Sequence, residues 1–314
     1  MSGGERRVAV LGGAGFAGRN VCDELRAAGM AAESFSRTSG CDLRDLPQAW
    51  ERLSAFRPTH LVNCAAHVGS VNYVSDFAAD VIDDNMRMVL NLYRIARQMR
   101  EAIVVNPIAN CAFPGVAERY EESDLWNGPI HPSVLSYGAS RRLIDSLAEC
   151  YRAQYGVRSA NVFVPNMYGP YDSVSPNKTH ALNALAIKFV QAVKRGDAEV
   201  EVWGTGKPVR EWLYVKDFAR VVRRIVESGE AFAAPVNIGQ NHGLTVNELV
   251  AIVAEATGYQ GQIRHNLKYP DGSPRKVMSD KLFRQRFPDF RFTPFEEGLR
   301  ETIAYYKETF SALK

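Results

Sequence analysis

The 314-residue sequence predicts an α/β fold, a doubly wound parallel sheet followed by a smaller mixed α/β lobe. Three observations predict it. Short continuous apolar runs, the mark of strands buried on both faces, recur at Arg7 to Leu11, Thr59 to Ala66, Ala102 to Ile108 and Ser159 to Pro165. Between them apolar residues take helical spacing. From Asp80 to Arg100, Val81, Ile82, Met86, Val89, Leu90, Leu92, Tyr93 and Ile95 recur in this way, with Asn85 among them. Third, the first apolar run passes directly into Gly12-Gly13-Ala14-Gly15-Phe16-Ala17-Gly18.

In order along the chain, helical spacing after that turn runs from Phe16 to Met30, so the glycines sit between a strand and a helix. There Gly12 and Gly15 let backbone come close to a pyrophosphate, Gly18 lets helix pack on strand, and the helix N-terminus favours negative charge. Gly12, Gly13, Gly15, Phe16, Ala17 and Gly18 are thus the expected dinucleotide cradle, and the sheet is Rossmann-type. The second strand, Ala31 to Ser36, ends in Ser36-Arg37. An acidic residue there would bind the adenine ribose hydroxyls; Ser36 with Arg37 suits a 2′-phosphate. NADP(H) is therefore expected ahead of NAD(H), the alternative being that Arg37 is a solvated loop charge. At the end of the third strand, Ala65 and Ala66 let ribose and phosphate lie against backbone, and His67 follows as a polar loop residue.

The fourth strand delivers Ala109-Asn110-Cys111-Ala112-Phe113-Pro114 to the carboxyl edge of the sheet, where ligands bind in open α/β folds. Ser136-Tyr137-Gly138-Ala139-Ser140-Arg141-Arg142 opens a helix reaching Tyr155, with Tyr137 and Arg141 on one face. After the fifth strand, Asn166-Met167-Tyr168-Gly169-Pro170 turns the chain outward. Residues 1–170 are the expected cofactor domain, joined again by residues 212–240, and 171–314 mainly form the substrate lobe. In that lobe the spacing predicts helices at Thr179 to Arg195, Lys216 to Gly229, Thr245 to Gly258 and Thr293 to Phe310. Short strands are expected at Glu199 to Trp203, Pro235 to Ile238 and Gln262 to Leu267, and Thr245 with Glu248 has the pattern of a capping box.

Composition excludes several classes. The net charge of +3, from 38 Lys and Arg against 35 Asp and Glu, is scattered and implies no nucleic-acid partner. Met1 to Arg7 is polar, the apolar runs are too short for a bilayer, and no cleavage site follows an apolar segment, so a cytoplasmic protein without a membrane partner is expected. Five cysteines (Cys22, Cys41, Cys64, Cys111, Cys150) without a C-x-x-C pair argue against a disulfide framework and against metal.

The spacing G-x-x-G-x-x-G resembles the extended short-chain dehydrogenase/reductase family. Three later stretches resemble its GDP-L-fucose synthase branch, whose members are GDP-4-keto-6-deoxymannose 3,5-epimerase-reductases: Asn177-Lys178-Thr179-His180, Val202 through Trp212, and Pro270-Asp271-Gly272-Ser273-Pro274-Arg275-Lys276. The resemblance implies a nucleotide-sugar site between lobes, with Lys188, Trp203, Arg210 and Asp271 on the nucleotide diphosphate side. The alternative is that Trp203 belongs to the core and that Lys188 and Arg210 form surface ion pairs. It implies cofactor contacts from Asp42 and Leu43, Asp42 being alternatively a helix cap, and from Asn166, Met167 and His180. Cys111 and His180 match the epimerisation pair; alternatively they are a small buried hydrophobe and a helix cap. A thiol and an imidazole can each lose and regain a proton near neutral pH.

In the reductive half, Tyr137 matches the tyrosine that protonates the C4 oxygen. Its partners are altered: Ala109 stands at the serine position and Arg141 at the lysine that grips the nicotinamide ribose. Loss of an oxyanion donor costs about a hundred- to a thousandfold unless Asn110 or Ser136 replaces it, and a guanidinium does not relay protons. The expected function is a GDP-4-keto-sugar 3,5-epimerase and NADPH-dependent 4-reductase. Two alternatives stay open: an epimerase that does not consume its cofactor, and a non-catalytic binder of NADP or nucleotide sugar. The resemblance also implies a homodimer through a bundle of the helices at Asp80 to Arg100 and Ser136 to Tyr155.

Overall fold

Five of the six strands in the main sheet come from the apolar runs and helices that alternate along the first half of the chain. The computed structural model describes residues 6–117, 120–232, 234–269 and 271–312; Pro270 and Met1 to Glu5, both used in the sequence reading, lie outside them. In chain order the first half comprises β1 (Arg7–Leu11), α1 (Phe16–Ala27), β2 (Ala31–Phe35), α2 (Leu46–Phe56), β3 (His60–Asn63), α3 (Val71–Asp76), α4 (Ala78–Gln98), β4 (Ile103–Ala109), α5 (Leu135–Tyr155) and β5 (Arg158–Val164). The second half comprises β6 (Asn166–Tyr168), α6 (Ala181–Arg195), β7 (Glu199–Trp203), β8 (Val209–Arg210), β9 (Trp212–Tyr214), α7 (Val215–Ser228), β10 (Val236–Asn237), β11 (Leu244–Thr245), α8 (Val246–Thr257), β12 (Gln262–Asn266), β13 (Arg275–Lys276), α9 (Lys281–Arg286) and α10 (Phe295–Ala312).

The main sheet has the order β10-β5-β4-β3-β1-β2, and every pairing in it is parallel. Parallel neighbours need crossovers, and the helices supplying them cover both faces. Leu53 of α2, Leu92 of α4 and Ile144 of α5 share one buried cluster with Leu11 and Leu61. Val21 and Leu25 of α1 with Phe218 and Val222 of α7 share another with Val8, Val10 and Val62. A third core, with Leu182, Phe189, Leu249, Val253 and Tyr306, holds α6, α8 and α10 together. Small sheets carry the rest: β11-β8-β13, β12-β7 and β6-β9.

Several predicted boundaries differ. The first helix stops at Ala27 rather than Met30, because Gly29 takes a left-handed φ of +75° and Met30 bonds back to the Leu25 carbonyl. The third strand ends at Asn63, and Cys64 to His67 leave the ladder to line the turn after β1. The helix expected from Thr179 starts at Ala181, since the Thr179 hydroxyl bonds the Ser173 and Ser175 carbonyls. Asp42 does not cap a helix; Asp45 does, accepting from the Gln48 amide at 3.0 Å.

Candidate functional site

The cradle turn is built by close approach. Gly12 has φ +72°, and a Cβ there would stand 2.8 Å from Ala65 backbone, so the turn after β1 and the segment after β3 lie against one another. Gly15 takes the N-cap position of α1 in extended geometry and leaves the first-turn amides facing outward. Beyond β2 the Ser36 hydroxyl is engaged with Thr38 and Ser39, while Arg37 is exposed. Asp42 is held by Arg44 at 2.6 Å, and Arg44 also pairs with Asp84 at 2.9 Å. His67, placed by sequence in a polar loop, sits between Asp84 and Tyr73, each 2.9 Å from a ring nitrogen.

Residues distant in sequence meet at the carboxyl edge of the sheet. The Phe16 ring lies 5.1 Å from the His180 ring, which brings the cradle to the start of α6. Gly138 lies so near Cys111 that a Cβ there would be 2.6 Å from the Cys111 carbonyl oxygen, which brings α5 and Tyr137 to the turn after β4. Arg141 is 2% exposed; its guanidinium is 5.2 Å from the Tyr137 ring centroid and donates to Asn85 Oδ1 at 2.6 Å. Burial pushes the Tyr137 hydroxyl above its ordinary range, and Arg141 opposes that.

The two proton-transfer candidates differ in surroundings. Half-buried Cys111 sits on a 3₁₀ turn, Asn110–Ala112. Burial pushes its thiol up, while Lys276 and Arg141 pull it down. His180 occupies the N-cap position of α6, yet its ring does not cap the helix. Its Nδ1 meets the Asp172 carboxylate at 3.0 and 3.1 Å, and that carboxylate also accepts the His180 amide at 2.8 Å and Asn183 Nδ2 at 2.8 Å. Burial would raise the Asp172 carboxyl, but these bonds outweigh it and hold the group below the usual range. Nδ1 being so occupied, Nε2 is the atom left for chemistry.

The two candidate oxyanion donors, Ser136 and Asn110, are engaged differently. Ser136 Oγ is used on the Val74 carbonyl at 2.8 Å. Asn110 is 7% exposed and its Nδ2 has no partner among the described residues.

The nucleotide-side candidates also cluster. Trp203 is not core: it is half exposed and stacks on Tyr269 with centroids 4.1 Å apart, with Lys188 Nζ 5.7 Å from its ring. Lys188 donates to the Glu201 carbonyl at 2.8 Å and makes no ion pair among the described residues. Arg210 donates to the Val209 and Asp271 carbonyls rather than to a carboxylate. The Asp271 carboxylate is occupied by the Thr205 amide and hydroxyl, both at 2.7 Å, so it clips two loops together. On β6, Asn166 Nδ2 bonds the Glu211 carbonyl at 3.3 Å.

Sequence reasoning missed Asp172, the clamping role of Asn85, and Lys276. Asp172 stood two residues past the Gly169-Pro170 turn, and Lys276 ended a motif already singled out; neither carries a pattern that says where it points. Lys276 is 7% exposed and donates to the Asn110 carbonyl at 3.2 Å.

A glycine cradle at the first strand of a parallel sheet, with a tyrosine at the start of a helix beside the fourth, defines a dinucleotide-dependent enzyme of the extended short-chain dehydrogenase/reductase fold. The chain belongs to the NAD dependent epimerase/dehydratase family, whose model matches residues 8–239. It is 30% identical to a probable GDP-L-fucose synthase 1 of Oryza sativa subsp. japonica, over 98% of this chain and 94% of that protein. It is 24% identical to a GDP-L-fucose synthase of Dictyostelium discoideum, over 99% and 98%. Among solved structures, a GDP-L-fucose synthetase from Naegleria fowleri bound to NADP shares the fold with a TM-score of 0.88 at 24% identity, covering 99% of this chain and 97% of that one. Among the described residues no helix is long and apolar enough to cross a membrane.

Proposed function

We propose that this chain epimerises a GDP-linked 4-keto sugar at C3 and C5 through Cys111 and His180, and reduces C4 with NADPH through Tyr137. The observation that carries this reading is that distant segments pair at the two proton-transfer residues, Phe16 against His180 and Gly138 against Cys111. Residues 1–170 with 212–240 form the cofactor side in this proposal, 171–314 the substrate side, and α4 with α5 the surface of a homodimer. The cradle fits a dinucleotide: Gly12, Gly13, Gly15, Phe16, Ala17 and Gly18 hold the pyrophosphate, and exposed Arg37 faces the 2′-phosphate, favouring NADP(H) over NAD(H). Asp42 and Leu43 lie toward the adenine, and Ala65, Ala66, Asn166, Met167 and Arg141 toward the ribose and nicotinamide. NADPH supplies the hydride for C4 when bound.

The chain's own groups do the rest. The C4 ketone makes the C3 and C5 hydrogens acidic. Cys111, among cations, is suited to take a proton as thiolate. His180, backed by Asp172, is suited to return one from the opposite side as imidazolium. Asn110 Nδ2 supplies a donor toward the developing C4 oxyanion, and Tyr137 protonates that oxygen during reduction. Lys188, Trp203 and Arg210 take the nucleotide diphosphate. An epimerase-only reading is favoured by one observation: Arg141 is fixed to Asn85 and, as a guanidinium, carries no proton onward from Tyr137.

Incubation with GDP-4-keto-6-deoxymannose in deuterated water, with and without NADPH, tests both. Mass gain with NADPH loss supports the full reaction, and mass gain alone the epimerase. Cys111→Ser and His180→Asn should each suppress uptake; wild-type uptake in both variants removes their assignment.

A further inference from the structure

Three cations flank the turn that carries Cys111, and a fourth stands next to one of them. Lys276 reaches it from β13, Arg141 and Arg142 from α5, and Arg210 stands beside Lys276 in the β8–β13 register. Among the described residues none of the four makes an ion pair. Every hydrogen bond they donate ends on a neutral oxygen: Arg141 on Asn85 Oδ1, Arg142 on the Ala112 and Gly128 carbonyls, Arg210 on the Val209 and Asp271 carbonyls, and Lys276 on the Asn110 carbonyl. Burying an ammonium with no counter-charge is unfavourable, so a pocket of this kind is built to receive negative charge. Of the two cations that come from outside the turn's own crossover, Lys276 and Arg210, Lys276 is the more confined, at 7% exposure, and the carbonyl it bonds belongs to the peptide joining Asn110 to Cys111.

We propose that Lys276 is the charge partner of Cys111: its ammonium, fixed at the Asn110 carbonyl, is placed to balance the thiolate each time Cys111 gives up its proton. Lys276 is thereby a positioning residue acting through Cys111, and the proposal deepens the epimerisation reading given above. Arg141 is the other cation pulling the thiol down, and Tyr137 is its uncharged neighbour on α5. Burial drives the Lys276 ammonium toward losing its own proton, the repulsion of Arg210 and Arg142 adds to this, and Cys111 opposes it, as expected of two groups that share one charge balance.

The test reads the thiol itself, so its failure is separable from failure of the epimerase reading. Full-length protein without substrate is alkylated with iodoacetamide from about pH 6 to about pH 10, and modification of Cys111 is followed by peptide mass spectrometry. Exposed Cys150 is the internal control. In Lys276→Met the Cys111 rate below its midpoint should fall about tenfold for each pH unit by which ionisation is displaced. Lys276→Arg, which keeps the charge, should stay near wild type. An unchanged Cys111 profile in Lys276→Met overturns the proposal, as does an equal loss in Lys276→Arg, which would show shape rather than charge at work. GDP binding is measured on the same proteins; weakened GDP binding with an unmoved alkylation profile would assign Lys276 to the nucleotide instead. If Lys276→Met does not fold, Lys276→Gln takes its place with the same expected slowing.

Discussion

Asp172→Asn should weaken proton transfer by His180 while leaving nucleotide-sugar binding nearly intact. The carboxylate is almost wholly buried, with 3% of its side chain exposed, and accepts four hydrogen bonds: from the His180 ring N–H, the His180 amide, the Ser173 amide and Asn183 Nδ2. An amide of the same shape keeps one acceptor, removes the charge and turns an NH2 toward a donor. Hydrogen bonds to charged groups are worth about 1.5–3 kcal/mol. Loss of ~2 kcal/mol from the imidazolium form corresponds to roughly 30-fold in the exchange rate. The assay is deuterium uptake at C3 and C5 across pH, with KM for the sugar measured alongside. Stability supplies a second readout. The Asp172 carboxyl lies below its ordinary value in the fold, so its contribution is fully present above about pH 4 and is lost as pH falls through the depressed folded value. Asp172→Asn should remove that part of the acid limb. Wild-type exchange together with an unchanged acid limb would refute the argument that the Asp172 carboxylate supports proton transfer by His180.

Three further outcomes are expected. Ala109→Ser combined with Arg141→Lys should raise C4 reduction about tenfold or more, since an oxyanion donor and a proton-relaying ammonium return together; NADPH absorbance reads it, and no gain would leave Asn110 as the sufficient donor. Arg37→Ala should raise KM for NADPH about ten- to a hundredfold with little change for NADH, the loss of a charge-assisted contact to one phosphate; equal effects on both cofactors would place Arg37 away from the 2′-phosphate. Gly12→Ala should destabilise the fold by about 1–2 kcal/mol from its left-handed φ alone, with more from overlap with Ala65 backbone, and thermal melting should show a lowered Tm.

Strands β1, β4 and β5 were legible because burial on both faces writes an unbroken apolar run into the chain, and β7 was read at its exact limits, Glu199–Trp203. Of the two-residue elements only β10 was anticipated, inside the strand expected at Pro235 to Ile238. β8, β11 and β13 are too short for any period, yet they hold Arg210 and Lys276 side by side. Helix α2 was also missed, although Asp45 and Pro47 mark its start, because it lies in the long connection between β2 and β3. Tyr137 and Arg141 could be put on one face, since four residues apart on a helix fixes that locally. The Asp172 to His180 bond could not, since it depends on Tyr171 taking φ +74° and turning the chain back on itself.

The place of β10 has a bearing on how the molecule is made. Its two residues, Val236–Asn237, pair with β5 on its outer side, where the Phe232 and Ile238 amides also bond the Ser159 and Phe163 carbonyls, and all of these follow β5 only after a long stretch of intervening chain. A ribosome adding about 5–20 residues each second delivers β5 several seconds before β10. Through that interval β5 is a naked edge, with a row of free amides and carbonyls able to template a foreign strand. The face of the sheet that α7 covers is also bare until Phe218 and Val222 emerge. The nascent chain is therefore most exposed to misassembly while its smaller sheets are being synthesised, and a slowed or chaperone-poor cell should lose this protein to aggregation during synthesis sooner than by unfolding of the finished molecule.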